Sequence, residues 1–127
     1  MALNDKKRKR KFADTFKFAI EGICCSIFQE RNMRIHIIIS LLVVFIGYCL
    51  SINRTEWMFI LFAIGGMLAL EMINSAIERV VDLVTDYQFH SLAKQAKDIA
   101  AGAVLTYAFL SIIIGMIIFI PKIITLF

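Results

Sequence analysis

Polar side chains recur at helical spacing in the middle of an otherwise apolar stretch of this sequence. Residues at i, i+3, i+4, i+7 and i+11 share one face of a helix. Here that face carries carboxylates, an amide and a hydroxyl, from Glu71, Asn74, Ser75, Glu78 and Asp82. A carboxylate at the centre of a membrane helix costs roughly 2.5 to 3.5 kcal/mol. We therefore expect this acidic face to meet protein, water or a cation.

The acidic face suits a hydrated divalent cation and a phosphate-bearing ligand. Mg²⁺ takes one or two protein carboxylates and completes its shell with water and phosphate oxygens, and Glu30 and Glu78 are candidates for that pair. Lys94 or Lys97 can neutralise phosphate charge. Glu71 lies roughly 10 Å deeper than Glu78 along a helix, at a depth where it can accept a proton from a lipid hydroxyl.

These residues alone do not indicate that the protein binds ATP or is a kinase. The sequence has no Walker A loop and no G-x-G-x-x-G motif. Glu30 also has a simpler interpretation, an exposed carboxylate that pairs with Arg34 at i+4. The chemistry indicated so far is a cation and an anionic ligand at a membrane surface.

Composition assigns the chain to the membrane. It has 127 residues, of which 60% are hydrophobic, and its mean hydropathy is +0.79. A soluble globular domain is less apolar, and this length suits a single domain, 1–127. The three cysteines, Cys24, Cys25 and Cys49, lack metal-ligand spacing and are interpreted as small packing residues.

The N-terminal part is predicted to lie on the membrane surface. Residues 1–11 form a basic tail, which we expect to bind anionic headgroups rather than nucleic acid. Residues 12–30 carry apolar side chains at spacings of three and four, which predicts an amphipathic helix in the plane of the interface.

Three membrane-spanning helices are predicted to follow. Their ranges are 35–52, 57–84 and 99–120. A tight turn at Asn53–Glu56 joins the first two, a loop at 85–91 joins the second and third, and Pro121 is expected to end the last helix. The predicted fold class is therefore an all-α membrane protein.

Basic residues set the predicted orientation. Nine Lys or Arg precede the first span and three lie between Arg79 and Lys97, against one in the first turn and one after the third span. By the positive-inside rule, the N-terminus and the second loop are cytoplasmic and the C-terminus is outside. The predicted localisation is the plasma membrane, multi-pass, with the acidic face towards the cytoplasm.

The chain resembles the bacterial membrane-embedded diacylglycerol kinase family. The resemblance covers nearly the whole chain and is carried by E-x-x-N-[ST]-A-I-E-x-x-x-D at 71–82 and by Ala-Lys-Asp at 96–98, before the third span. The stretch 30–36 and Ala-Ala-Gly at 100–102 resemble the Gram-positive branch, whose members phosphorylate undecaprenol. The resemblance implies an ATP-dependent lipid kinase that forms a helical-bundle homotrimer with active sites between subunits.

The resemblance also implies roles for individual residues. Glu71 is the implied catalytic base, Glu30 and Glu78 the implied ligands of the Mg²⁺ that bridges ATP, and Asn74 orients the catalytic helix and contacts the substrate. The implied nucleotide site comprises Phe18, Glu30, Asn74, Glu78, His90, Lys97 and Asp98, with Lys97 on the phosphates. Phe18 replaces a tyrosine found in many members, which keeps adenine stacking and removes a hydroxyl. The loop before His90 departs in length from the enterobacterial type.

Alternatives remain at this stage. Diacylglycerol is the second candidate substrate, and it offers ester groups that a site can hydrogen-bond. Few polar side chains lie around Gly22 or at the depth of Glu71, which favours the isoprenoid chain of undecaprenol. Outside kinases, the acidic face also fits a small cation-coupled transporter or a structural membrane subunit with a polar packing face.

Overall fold

Four α-helices make up the part of the chain that the computed structural model describes, residues 12–127. They are α1, Phe12–Gln29; α2, Arg31–Cys49; α3, Arg54–Thr85; and α4, Ser91–Leu126. Within 12–127 no strand is present. The last three helices are long and apolar enough to cross a membrane. The all-helical prediction is thus confirmed, and the basic tail 1–11 lies outside the described residues.

Glu30 separates α1 from α2. Its backbone is extended, with φ −102° and ψ 118°, and it occupies the N-cap position of α2. The helix begins four residues before the predicted span because Arg31 and Arg34 belong to its first turn. Long basic side chains can reach water from such a turn while the backbone stays helical, so a hydropathy pattern places the start of the helix too late.

The turn between α2 and α3 was predicted a few residues too late. Asn53 Oδ1 accepts a hydrogen bond from the Glu56 backbone N–H at 2.9 Å, and Glu56 Oε2 accepts one from the Asn53 backbone N–H at 2.8 Å. This reciprocal arrangement is a capping box, in which the residue three positions after the cap is already helical. The helix therefore starts at Arg54, and Glu56 belongs to its first turn.

α3 and α4 form an antiparallel pair that is closed by an ion pair at each end. Glu56, near the start of α3, lies 3.1 Å from Lys122, near the end of α4. At the other end, Lys97 of α4 pairs with Asp82 of α3. The two pairs span similar lengths of both helices, about 39 Å at 1.5 Å per residue, so they fix the register of the two helices.

α4 is longer at both ends than the predicted span. It begins at Ser91 because His90 caps it, with Nδ1 accepting a hydrogen bond from the Leu92 backbone N–H. An exposed i,i+4 ion pair, Lys94–Asp98 at 2.6 Å, follows within the helix. The prediction that Pro121 ends the helix is wrong, since the helix continues to Leu126. A proline removes one backbone donor, and membrane helices tolerate that loss.

Close packing between α3 and α4 depends on one glycine. The Tyr107 hydroxyl donates a hydrogen bond to the Phe62 carbonyl oxygen at 2.7 Å. A Cβ at Gly66 would lie 2.0 Å from that hydroxyl, whereas a Cβ at Gly65 would meet nothing within 4 Å. Gly66 therefore leaves room for the Tyr107 side chain against α3, and the two helices pack closely at this point. This packing holds the polar face of α3 next to α4.

Candidate active site

The polar face predicted on α3 is turned into the protein. Glu71 is 3% exposed, and Asn74 and Ser75 are also buried. Glu78 and Asp82, nearer the end of the helix, are half-buried. Burial thus decreases along the face towards the α3–α4 loop. A carboxylate that is buried within an apolar helix needs polar neighbours, and those neighbours come from α2 and from α3 itself.

His36 of α2 faces the buried carboxylate. Its Nε2 atom lies 4.0 Å from Glu71 Oε2. The backbone of His36 is held in turn, because its carbonyl oxygen accepts a hydrogen bond from Ser40 Oγ at 2.7 Å. The sequence did not predict that His36 would face Glu71. Its only local signal was a histidine at the edge of the first span, close to Arg34 in a charged stretch.

Asn74 holds Glu78 in place. Asn74 Nδ2 donates a hydrogen bond to Glu78 Oε1 at 3.1 Å, across one turn of α3. Asn74 Oδ1 is buried, and within residues 12–127 no donor reaches it. A buried acceptor without a partner is costly, which makes this oxygen ready to accept a hydrogen bond from a bound molecule.

Glu30 is held by α3 rather than by its own helix. Its Oε1 atom accepts a hydrogen bond from Arg79 Nη2 at 2.8 Å, and Arg79 Nη1 lies 3.4 Å from Cys25 Sγ. The simpler interpretation of Glu30, pairing with Arg34, is wrong, because Arg34 donates to the Phe28 carbonyl oxygen at 2.8 Å instead. Arg79 is a second residue that the prediction missed. It places Glu30 beside the α3 turn that carries Glu78.

A cleft of about 640 Å³ at the α3–α4 loop gathers three of the residues implied for the nucleotide. Its walls include His90, Lys97 and Asp98, together with Asp82. Lys97 pairs with Asp82 across the cleft. His90 caps α4, since its Nδ1 atom accepts from the Leu92 backbone N–H at 3.2 Å. The cleft therefore joins cationic and acidic groups at the open end of the polar face.

The other residues implied for the nucleotide site lie outside the loop cleft. Asn74 and Glu78 are on α3 between Glu71 and the cleft, and Glu30 is tied to the same helix through Arg79. Phe18 lies on α1, with about half of its surface exposed. It does not line the loop cleft, so this cleft holds only part of the implied nucleotide set.

The donor set fits Mg²⁺ better than a metal held only by protein. Within residues 12–127 no group of three or more His, Cys, Asp or Glu is positioned to hold a metal ion. Mg²⁺ needs only one or two carboxylates when phosphate and water complete its shell. Glu30 and Glu78 are partly exposed and offer that number of oxygen ligands. The arrangement is therefore compatible with a metal that arrives with a phosphate ligand.

An apolar cavity of about 310 Å³ lies deeper, between α2, α3 and α4. Three polar residues are present in its lining, His36, Ser40 and Ser111. Its α3 wall includes Ile60 and Met67, and Glu71 lies one helical turn beyond Met67. The buried carboxylate thus lies one turn of α3 from the cavity lining, on the side towards the α3–α4 loop.

Comparisons with known proteins bear on this arrangement. The model of the family described as prokaryotic diacylglycerol kinase matches residues 17–119. An undecaprenol kinase of Bacillus subtilis is 46% identical over 112 residues, which cover 88% of this chain and 90% of that protein. A diacylglycerol kinase of Synechocystis is 33% identical over 112 residues, covering 88% and 64% of the two chains. One of Helicobacter pylori is 34% identical over 95 residues, covering 75% and 73%.

Proposed function

The chain belongs to the prokaryotic diacylglycerol kinase family, and we propose from that premise that it transfers the γ-phosphate of ATP to the hydroxyl of undecaprenol. The family and the similar kinases make it an ATP-dependent lipid kinase of the membrane. The observation that carries the proposal is the buried Glu71 carboxylate, which faces His36 in the lining of an apolar cavity and lies one helical turn beyond Met67 in the same lining. A lipid alcohol presents the matching pair of features, one hydroxyl at the end of a hydrocarbon chain.

In the proposed reaction Glu71 is the base. Its carboxylate takes the proton of the lipid hydroxyl, and the oxygen attacks the γ-phosphorus while the bond to the β–γ bridging oxygen breaks. ADP leaves with that electron pair. Water is kept from the base by burial, since only 3% of Glu71 is exposed. A dry base favours transfer to the lipid over hydrolysis of ATP.

The metal and nucleotide sites are proposed to lie on the outer part of the polar face. Glu30 and Glu78 would hold Mg²⁺, which supplies charge neutralisation on the phosphate oxygens. Asn74 would orient Glu78 through the hydrogen bond from its amide nitrogen. Its amide oxygen, Oδ1, would accept a hydrogen bond from the substrate. We assign Lys97 to the phosphates, which requires it to exchange its partner Asp82 for phosphate oxygen.

The rest of the nucleotide is proposed to lie between α1 and the loop cleft. Phe18 of α1, about half exposed, is assigned to stacking on adenine. His90 and Asp98 line the cleft and offer polar contacts beside Lys97. Because Phe18 does not line this cleft, nucleotide binding would require α1 and the α3–α4 loop of one chain to approach each other, or the two parts to come from neighbouring subunits.

Undecaprenol is the proposed acceptor rather than diacylglycerol. The cavity below Glu71 has an almost wholly apolar lining, with only His36, Ser40 and Ser111 as polar residues. A site built for diacylglycerol would be expected to offer partners to two ester groups, and an acceptor that lacked them would leave those partners unpaired. The 46% identity with an undecaprenol kinase supports the same choice. Diacylglycerol, the substrate named for the other relatives, is the alternative.

Assembly and orientation belong to the same proposal. The chain would act as one domain in a homotrimer, with α1 on the membrane surface and the N-terminus and loop cleft in the cytoplasm. Supporting this, many large apolar side chains of α2, α3 and α4 remain exposed in a single chain, including Phe59, Phe62 and Ile73 of α3. Lipid or neighbouring subunits would cover them. The excess of Lys and Arg at the cleft end supports the orientation.

The proposed function is tested by identifying the labelled product. Purified protein receives γ-labelled ATP and Mg²⁺ with either undecaprenol or diacylglycerol in mixed micelles. We expect label in undecaprenyl phosphate, and we expect none without a lipid alcohol. If neither lipid becomes labelled while the protein remains folded and binds ATP, the lipid-kinase proposal fails.

A further inference from the structure

We propose that His36 positions the acceptor hydroxyl against Glu71, an inference that rests on the proposed lipid-kinase function. His36 is the residue in the cavity lining that also faces the buried carboxylate. It therefore joins two parts of the site, the apolar cavity for the hydrocarbon and the base for the hydroxyl. A lipid alcohol bound in this cavity would therefore meet His36 next to Glu71.

The distance between the two side chains defines the role. His36 Nε2 and Glu71 Oε2 are 4.0 Å apart, which is too far for a direct hydrogen bond. An oxygen atom to one side of the line that joins them can lie about 2.8 Å from both, the ordinary length of a hydrogen bond. One hydroxyl oxygen beside the pair can thus bond to both atoms, of which one is a donor and the other an acceptor.

The hydroxyl group satisfies both sides at once. With the His36 proton on Nε2, the N–H donates to one lone pair of the hydroxyl oxygen, and the hydroxyl hydrogen is donated to Glu71 Oε2. The second lone pair remains for the γ-phosphorus. During transfer the proton moves to Glu71, the O–P bond forms, and the bond from phosphorus to the β–γ bridging oxygen breaks with its electron pair on ADP. His36 neither gains nor loses a proton.

The contacts around His36 hold this part of α2 in place, as a hydrogen-bond donor of fixed position requires. Its carbonyl is bonded by Ser40 Oγ at 2.7 Å, within the same helix. Met33, one turn before it on α2, is buried, which anchors this part of the helix. The side chain of His36 itself is 24% exposed, against 4% for Glu71. A ligand can therefore reach the imidazole from the cavity while the carboxylate stays covered.

Two amide replacements test the position of the donor. In His36→Gln the amide nitrogen is separated from Cα by the same number of bonds as Nε2, whereas in His36→Asn it falls one bond short. Both variants are polar and similar in size, so a purely structural requirement does not predict a difference between them. His36→Leu removes the donor, and Ile38→Leu, at a 66% exposed position on the same helix, is the control for a new leucine.

The measurements are kcat and KM for the lipid alcohol and KM for MgATP, in full-length protein. A hydrogen bond to an oxygen that gains charge in the transition state predicts a loss of about 10- to 100-fold in kcat/KM for the lipid in His36→Asn and His36→Leu. We expect His36→Gln to retain at least a third of wild-type activity, KM for MgATP to change by less than about twofold, and Ile38→Leu to match wild type.

The following results would contradict the proposed role of His36 or the proposed function. Equal activities of His36→Gln and His36→Asn would overturn the proposal, whether both are active or both are lost. A rise in KM for MgATP in step with the loss would also overturn it, because it would show a general disturbance of the site. If wild-type protein labels neither lipid, the proposed function itself fails. Normal lipid phosphorylation in His36→Asn refutes the role of His36 alone.

Discussion

Arg79 Nη2 donates a hydrogen bond to Glu30 Oε1 at 2.8 Å and thereby ties the junction of α1 and α2 to α3. The two residues are 49 positions apart in the sequence. One is the proposed metal ligand Glu30, and the other directly follows the second proposed ligand, Glu78. A guanidinium thus holds the carboxylate that we propose as a ligand of Mg²⁺.

Arg79→Gln should therefore lower the Mg²⁺ concentration that gives half-maximal activity. The arginine competes with the metal for Glu30, and a partly exposed ion pair contributes about 0.2 to 1 kcal/mol, so we expect a decrease of up to about fivefold. The measurement is activity as a function of free Mg²⁺ at saturating ATP. Lys122→Gln, which breaks an ion pair at the opposite end of α3 and α4, is the matched control and should leave this value unchanged. An increased Mg²⁺ requirement in Arg79→Gln would show that the arginine assists the metal.

Glu30→Gln and Glu78→Gln should each raise the Mg²⁺ requirement. Each change removes one negatively charged oxygen ligand and leaves the shape of the side chain. Activity should fall at low Mg²⁺ and recover in part at high Mg²⁺, and the titration of activity with Mg²⁺ measures this. Wild-type Mg²⁺ dependence in both variants would exclude them as ligands.

Glu71→Gln should abolish turnover and leave the nucleotide bound. The amide keeps the size of the side chain but cannot accept the hydroxyl proton, and a general base contributes about 10²- to 10⁴-fold to the rate. Turnover and ATP affinity are measured separately, the second by equilibrium binding. Glu21→Gln, on the exposed surface of α1, is the control for loss of a carboxylate. If ATP affinity falls in parallel with turnover, Glu71 serves binding rather than proton transfer.

Gly66→Ala should destabilise the packing of α3 against α4. Its Cβ would lie 2.0 Å from the Tyr107 hydroxyl, so the ring must move and lose its hydrogen bond to the Phe62 carbonyl. Overpacking of this kind costs about 1 to 3 kcal/mol. Thermal unfolding in detergent micelles measures the effect. Gly65→Ala, which introduces a methyl group into open space, is the control. Equal midpoints for the two variants would contradict the close approach at Gly66.

The sequence was sufficient for features that repeat along one helix. The shared face of Glu71, Asn74 and Glu78 follows from helical spacing alone, and in the structure Glu71 and Asn74 are buried and Glu78 is half-buried. The three helices that are long and apolar enough to cross a membrane followed from the length of the apolar runs. Both inferences need only local geometry, and for that reason both were confirmed.

Two kinds of feature could not be predicted from spacing along one helix: contacts between helices, and the exact residues at which helices begin and end. The partners of Glu71 and Glu30, which are His36 and Arg79, lie on other helices. No spacing rule joins such pairs before the packing is known. At the helix ends, the capping box at Asn53 and the continuation past Pro121 depend on how individual backbone donors are satisfied, which composition does not reveal.

The central claim is that Glu71 and the apolar cavity serve an isoprenoid alcohol. The most direct test is to compare kcat/KM for undecaprenol and diacylglycerol side by side, in the same mixed micelles and with saturating MgATP. An almost wholly apolar cavity, with three polar residues in its lining, should favour undecaprenol over a lipid with two esters, and we predict at least about a tenfold difference in kcat/KM. Equal or better use of diacylglycerol would contradict the assignment of undecaprenol as the substrate.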